Sequence, residues 1–201
     1  SIARGNVHPE GDIDLVILAK RQHLWLIRFI IVTVLKFSDK RPRPGKTRDS
    51  LCLSLYIADT TLNLKSLRLD HDDLVFYYYV EGFVPIIDPD NYYQKMLQAN
   101  QWVYEALPNA NWAKATIALL TYRPWHHWWR ALFSPLMNVL VASPFNDWVI
   151  RLQLSIMPER LKSLANIDTR VVVSDDVLKF HDKDSRQEMK QRWQRQLSGF
   201  R

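Results

Sequence analysis

"SIARGNVHPEGDIDLVIL", residues 1–18, decides how the rest of the chain is read. Asp12 and Asp14 sit one residue apart at the head of an apolar run, and residues 12–18 read as a strand. On a strand, residues i and i+2 point to the same face, so the two carboxylates project side by side. Like charges that close repel, and one carboxyl then holds its proton to higher pH unless a cation bridges the pair. Mg2+ is a hard cation that takes carboxylate oxygens together with substrate phosphates. A carboxylate pair on one strand is therefore a seat for metal that holds a triphosphate and activates a nucleophile. A bare Asp-x-Asp also has a plainer reading, in which one Asp caps a turn and the other is solvated at a strand end.

Working outward, residues 23–37 have helix-length apolar density, with Arg28 and Lys36 as polar breaks. "SDKRPRPGKTRDS" (38–50) is a basic, Pro-containing loop with Gly45 as its turn residue. "LCLSLYI" (51–57) alternates with period two, which predicts Leu51, Leu53 and Leu55 on one face. The order strand, helix, loop, strand is a small α/β unit. Further on, a helix beginning at Asp72 or Asp73 is expected, the alternative being a strand of aromatics, and another helix over residues 88–107, with Asp88 as N-cap and Pro89 at its first position. Residues 112–122 and 125–166 read as helical, interrupted near Pro124, Pro135 and Pro144. "TRVVVSDDVLKF" (169–180) reads as a hairpin turning at Ser-Asp-Asp, and residues 183–198 as a polar helix.

The 201 residues are 47% hydrophobic, enough to bury the core of one large domain or two small ones. A net charge of +6 suits a polyanionic ligand such as a nucleotide or RNA, and is also ordinary for a basic protein. Cys52 is the single cysteine, which excludes a disulfide framework and a cysteine-cluster zinc site and fits a reducing, cytoplasmic setting. The longest apolar stretches, 24–37 and 131–143, fall short of the roughly 20 residues a bilayer span needs.

Ser1, the ten residues "IARGNVHPEG", and then Asp12 and Asp14 together resemble the signature of the nucleotidyltransferase superfamily to which DNA polymerase beta belongs. There a Gly-Ser pair is followed, after a similar interval, by Asp-x-Asp on the next strand. "ARG" at 3–5 and Gly11 before Asp12 resemble the minimal nucleotidyltransferases most closely. The likeness covers residues 1–18 directly and 1–57 by element order. "LQANQWVYEALPNA" (97–110) and "VLKFHDKDSR" (177–186) resemble segments of uncharacterised bacterial nucleotidyltransferase-like proteins.

The resemblance implies an α+β fold. A small mixed nucleotidyltransferase sheet with helices would occupy residues 1–70, and a mainly helical domain with a short C-terminal β-hairpin residues 71–201. It implies that Asp12 and Asp14 ligate Mg2+, with two sites possible, and that Ser1 and the amides after it hold the β- and γ-phosphates of an NTP. Arg4 would reach phosphate. It also implies a helix and a strand before Ser1, so that the 1–70 unit is N-terminally incomplete. A family member carries a third carboxylate on a later strand. The matching strand here is "LCLSLYI", whose inward candidates Cys52 and Ser54 are not acidic, with Asp49 just before it and Asp59 just after. Asp49 serves as the third carboxylate if the strand begins early.

Two functions follow. One is a Mg2+-dependent nucleotidyltransferase moving a nucleoside monophosphate from an NTP to an acceptor hydroxyl. The other is a catalytically degenerate fold that binds a nucleotide or a partner. The acceptor stays open. Adjacent His126 and His127 in "RPWHHWWR" (123–130) diverge by about 100° on a helix, which favours packing or a homodimer seam in the helical domain over metal binding or a membrane surface. In "FHDKDSR" (180–186), Asp182 or Asp184 is expected to cap the tail helix, the alternative being closure over the site. "FYYY" (76–79) is expected in the core rather than stacked on a base.

Overall fold

β1 (Ile13–Ala19) and β2 (Leu51–Ala58) pair in parallel, and the crossover between them runs through α1 (Leu24–Phe37). Parallel neighbours need such a connection because a tight turn returns the chain antiparallel. The computed structural model describes residues 11–43, 45, 47–69, 73–110, 125–182 and 184–198. Ser1 and Arg4, the expected phosphate ligands, lie outside them, as do Asp72 and the stretch 112–122.

α1 ends in a Schellman motif. Asp39 takes φ 56°, and the Lys40 and Asp39 amides donate to the carbonyls of Leu35 (3.0 Å) and Lys36 (3.4 Å). In the basic loop that follows, Gly45 is the turn residue, with φ 80°. α2 (Leu74–Glu81) starts where the buried Asp73 carboxylate accepts from the Phe76 amide, 3.1 Å away.

Residues 88–107 do not form one helix. α3 (Tyr92–Ala99) and α4 (Trp102–Ala106) break at Asn100, whose buried amide accepts from Leu64 N (2.8 Å) and donates to Leu62 O (2.7 Å). Asn100 stitches the 62–64 segment to the helices, and that demand outweighs helix continuity. Asp88 is not the N-cap: the helix starts at Tyr92 with Asn91 as its N-cap and Pro89 outside it, although the Asp88 carboxylate does accept from the Tyr92 and Tyr93 amides.

α5 (Trp125–Ala142) runs through Pro135 without interruption, and Pro144 opens α6 (Pro144–Ser155). Proline inside a helix removes one backbone donor, which an exposed helix face tolerates because water reaches the freed carbonyl. After α7 (Glu159–Lys162) come β3 (Val171–Val173), β4 (Val177–Phe180) and α8 (Arg186–Ser198). β3 and β4 form the expected hairpin, and β4 pairs antiparallel with β2. The result is a mixed four-stranded sheet, ordered β1-β2-β4-β3, that draws strands from both sides of residue 70. The fold is α+β, and β1 is an edge strand among the described residues.

Helices cover both faces. Leu24 and Trp25 of α1, with Ile150 and Leu154 of α6, pack with Tyr56 and Leu178 on one face. Phe76, Tyr77 and Val80 of α2, with Val103 of α4, pack with Leu55 and Ile57 on the other. Leu53 belongs to the first cluster and Leu55 to the second, so the two do not share a face as their spacing predicts. The cause is a β-bulge: Asp14 pairs with Cys52 but Val16 with Leu55, so β2 carries one extra residue between them. α5 leaves Trp128, Leu132 and Val139 exposed. Among the described residues no helix is long and apolar enough to cross a membrane.

Candidate functional site

The bulge sits beside the aspartates. Asp14 is the second residue of β1, and Asp12 immediately precedes the strand. The Ile13 amide donates at 2.8 Å to the carbonyl of Ser50, the residue just before β2. That bond and the Asp14–Cys52 pairing fix the start of β1 against the start of β2. Carboxylate oxygens of Asp12 and Asp14 and the Sγ of Cys52 all lie within 4.8 Å of one another. Asp12 and Asp14 therefore converge as the i, i+2 spacing predicts, although only Asp14 is inside the strand.

The electrostatics follow from this crowding. Asp14, though exposed, is held above the ordinary carboxylate range, first by partial burial of its carboxyl and then by Asp12 beside it. The Cys52 thiol, within hydrogen-bonding reach, and His181 at the end of β4 both pull it back down. Burial, followed by the two carboxylates, pushes the Cys52 thiol up to about 12, so it is a protonated donor near neutral pH. Ser54 lies close enough to hydrogen-bond Cys52. Tyr79 of α2 is coupled electrostatically to the same group. Its phenol is pushed well above its usual range by burial, then by Asp14 and Cys52.

Asp49 does not join the group. It takes φ 57° just before β2, lies 3.7 Å from the Arg48 guanidinium and is largely exposed. β2 begins at Leu51, too late to carry Asp49 inward, and Cys52 occupies the place beside the pair. Asp59 sits past the far end of β2, where it accepts from the Arg21 amide. Among the described residues, the group with metal-ligand geometry is Asp12, Asp14 and Cys52. Its donor set is mixed: two carboxylate oxygens fit a hard cation such as Mg2+, and a thiolate fits a softer one.

The 180–186 stretch divides its work. His181 is exposed just past β4 and lowers the Asp14 carboxyl electrostatically, Asp182 pairs with Arg160, and Asp184 accepts from the Arg186 amide at 3.0 Å. In the aromatic run 76–79, Phe76 and Tyr77 are core, as expected, but Tyr78 and Tyr79 are exposed, because the 100° step of a helix carries successive residues off the buried face. No protein-family model, curated protein or solved structure matches the chain.

Proposed function

We propose that the chain is a divalent-metal-dependent nucleotidyltransferase that moves a nucleoside monophosphate from an NTP to an acceptor hydroxyl. The observation that carries this reading is the convergence of Asp12 and Asp14 with Cys52 at the paired starts of two parallel strands. Its specific fold arrangement and the phosphate roles of Ser1 and Arg4 rest on the sequence resemblance. Asp12 and Asp14 would hold Mg2+, which when bound screens the triphosphate and orients the acceptor. Without metal, burial and the two carboxylates keep the Cys52 thiol protonated. The imidazole of His181, close to Asp14, is the side-chain type that accepts a proton from an attacking hydroxyl. The free Cys52 thiol suits a reducing, cytoplasmic setting, and the exposed apolar residues of α5 suit a homodimer seam.

A second reading has its own observation. With Cys52 where a third carboxylate would stand, the fold binds a nucleotide or partner without transfer. The test is incubation with α-labelled NTPs, Mg2+ or Mn2+, and acceptors from nucleic acid, protein and small-molecule classes. Label appearing covalently on an acceptor, with pyrophosphate released, supports transfer. Saturable NTP binding with no released pyrophosphate supports the binding module.

A further inference from the structure

α5 is attached to the rest of the fold by its polar side. Arg130, Ser134 and Asn138 recur every four residues along one side of the helix. Arg130 lies 2.7 Å from the Asp90 carboxylate, and Asn138 Oδ1 lies 3.0 Å from His23 Nε2. Met137, Leu140 and Val141 are half-buried, and the helix contacts α6 and the 21–23 turn. At a helical step of 100° per residue, Trp128, Trp129, Leu132, Phe133, Leu136 and Val139 share an arc of about 140° opposite that polar side, and every one of them is exposed. Trp128 is 78% exposed, Val139 66% and Leu132 65%. A helix on the surface of an isolated domain turns the other way, apolar side inward and polar side outward.

Spacing, area and charge together say what covers this face. Trp129, Leu132, Leu136 and Val139 are three, four and three residues apart, the a/d seam by which one helix packs on another. At ordinary side-chain areas the six residues expose on the order of 700 Å2. Each partner in a standard interface contributes about 800 Å2. Arg130, engaged with Asp90, is the single Lys, Arg, Asp or Glu of α5. The face therefore meets a copy of itself without like-charge repulsion. A helix lying on a bilayer carries a polar side rich in Lys and Arg, which α5 lacks.

We propose that α5 packs antiparallel against α5 of a second copy, about a two-fold axis at the level of Ser134. The rings of Trp128, Trp129 and Phe133 crowd the N-terminal half of the seam, and Leu136 and Val139 fill the other half. Antiparallel packing sets large against small, with Trp129 facing Val139 of the second copy and Leu132 facing its Leu136. Parallel packing would set Trp129 against itself and align the two helix dipoles unfavourably. This gives the homodimer seam its geometry and does not rest on the Asp12–Asp14 reading.

Sedimentation velocity of the full chain tests it. A species of twice the chain mass should form as concentration rises. Leu132→Glu with Leu136→Glu, two changes at exposed positions, should weaken that association by about 100-fold or more and leave the helical circular dichroism unchanged. With Cys52→Ser in every copy, copies carrying Trp129→Cys should cross-link on mild oxidation to copies carrying Val139→Cys, and neither variant should cross-link with itself. A chain that stays monomeric at every concentration overturns the proposal. So does a dimer unaffected by the two glutamates, a mixed pair that fails to cross-link, or self-cross-linking of each cysteine variant, the mark of parallel helices. A monomer that floats with phosphatidylserine-containing vesicles, and ceases to with the two glutamates, assigns the face to lipid and overturns it too.

Discussion

Arg186, the first residue of α8, places Nη1 2.9 Å from Oδ2 of Asp73, the N-cap of α2, with both side chains buried. The same guanidinium donates to Leu67 O (3.0 Å), Thr169 Oγ1 (2.8 Å) and both oxygens of Asp184. It also lies 5.3 Å over the Phe76 ring. One side chain thus ties α8, α2, the 67–69 turn and the approach to β3 together. Removing it leaves two carboxylates short of a partner in a poorly solvated place. Arg186→Met should cost roughly 3–5 kcal/mol, read as a lower urea midpoint. Arg186→Lys should recover little of that, because an ammonium cannot reproduce the planar fork of donors. A loss below about 1 kcal/mol, the worth of an exposed ion pair, would show the network to be peripheral.

Asn100 makes a parallel case without charge. It bridges Leu62 O, Leu64 N and Met96 O while 1% exposed. Asn100→Leu should strand those backbone groups and cost about 2–4 kcal/mol, measured by denaturant unfolding. An exposed substitution such as Gln98→Ala should stay within about 0.5 kcal/mol.

These two residues also show where reading the sequence stops. β1, α1, the Asp73 cap and the 171–180 hairpin are local, set by apolar period, a capping side chain and turn residues, and each was legible. The pairing of β2 with β4 joins residues far apart in sequence, and no local pattern announces it. The bulge beside Asp14 breaks the period-two rule from which the faces of Leu53 and Leu55 were read. Asn100 and Arg186 look like ordinary polar helix residues until the tertiary fold buries them. Of the group at the head of β1, the convergence of Asp12 and Asp14 is legible from their spacing, whereas Cys52 as the third member is not. Asp49 would serve only if β2 began early, and β2 begins at Leu51, leaving Asp49 as a left-handed turn residue before it.

Lys179 provides a pH test. It is 8% exposed in β4, and burial, followed by repulsion from Arg186, lowers its amine from 10.5 to about 8 against the pull of Asp184, Asp73 and Asp168. Below about pH 8 the folded and unfolded states both carry the proton, and folding bears the cost of a buried ammonium. Between about pH 8 and pH 10 the folded state releases it first, so stability rises with pH, by on the order of 3 kcal/mol at most. Unfolding free energies at pH 7 and 9.5 should show this rise in the native chain and not in Lys179→Met. Parallel curves for the two proteins would contradict it.

Cys52 tests the electrostatics of the site directly. A thiol held near 12 has almost no thiolate near neutral pH. Iodoacetamide should therefore alkylate Cys52 at least ~100-fold more slowly than a free thiol at pH 8. Asp12→Asn with Asp14→Asn removes the two charges that help raise it, and the rate should climb by roughly tenfold. A rate unmoved by the double change would mean the carboxylates do not face the sulfur. In the metal reading, Cys52→Asp supplies a third hard ligand and should tighten Mg2+ binding by about tenfold or more.

The central claim is that Asp12 and Asp14 together seat the metal of a metal–triphosphate complex. Calorimetric titration of the native chain and of Asp12→Asn/Asp14→Asn with the Mg2+ complexes of the four common NTPs tests it most directly. The native chain should bind at least one Mg·NTP saturably. The double variant should bind it about 30-fold or more weakly, with a melting temperature unchanged or higher because a like-charge repulsion is gone. Equal Mg·NTP affinity in the two proteins, or none in the native chain, would contradict it.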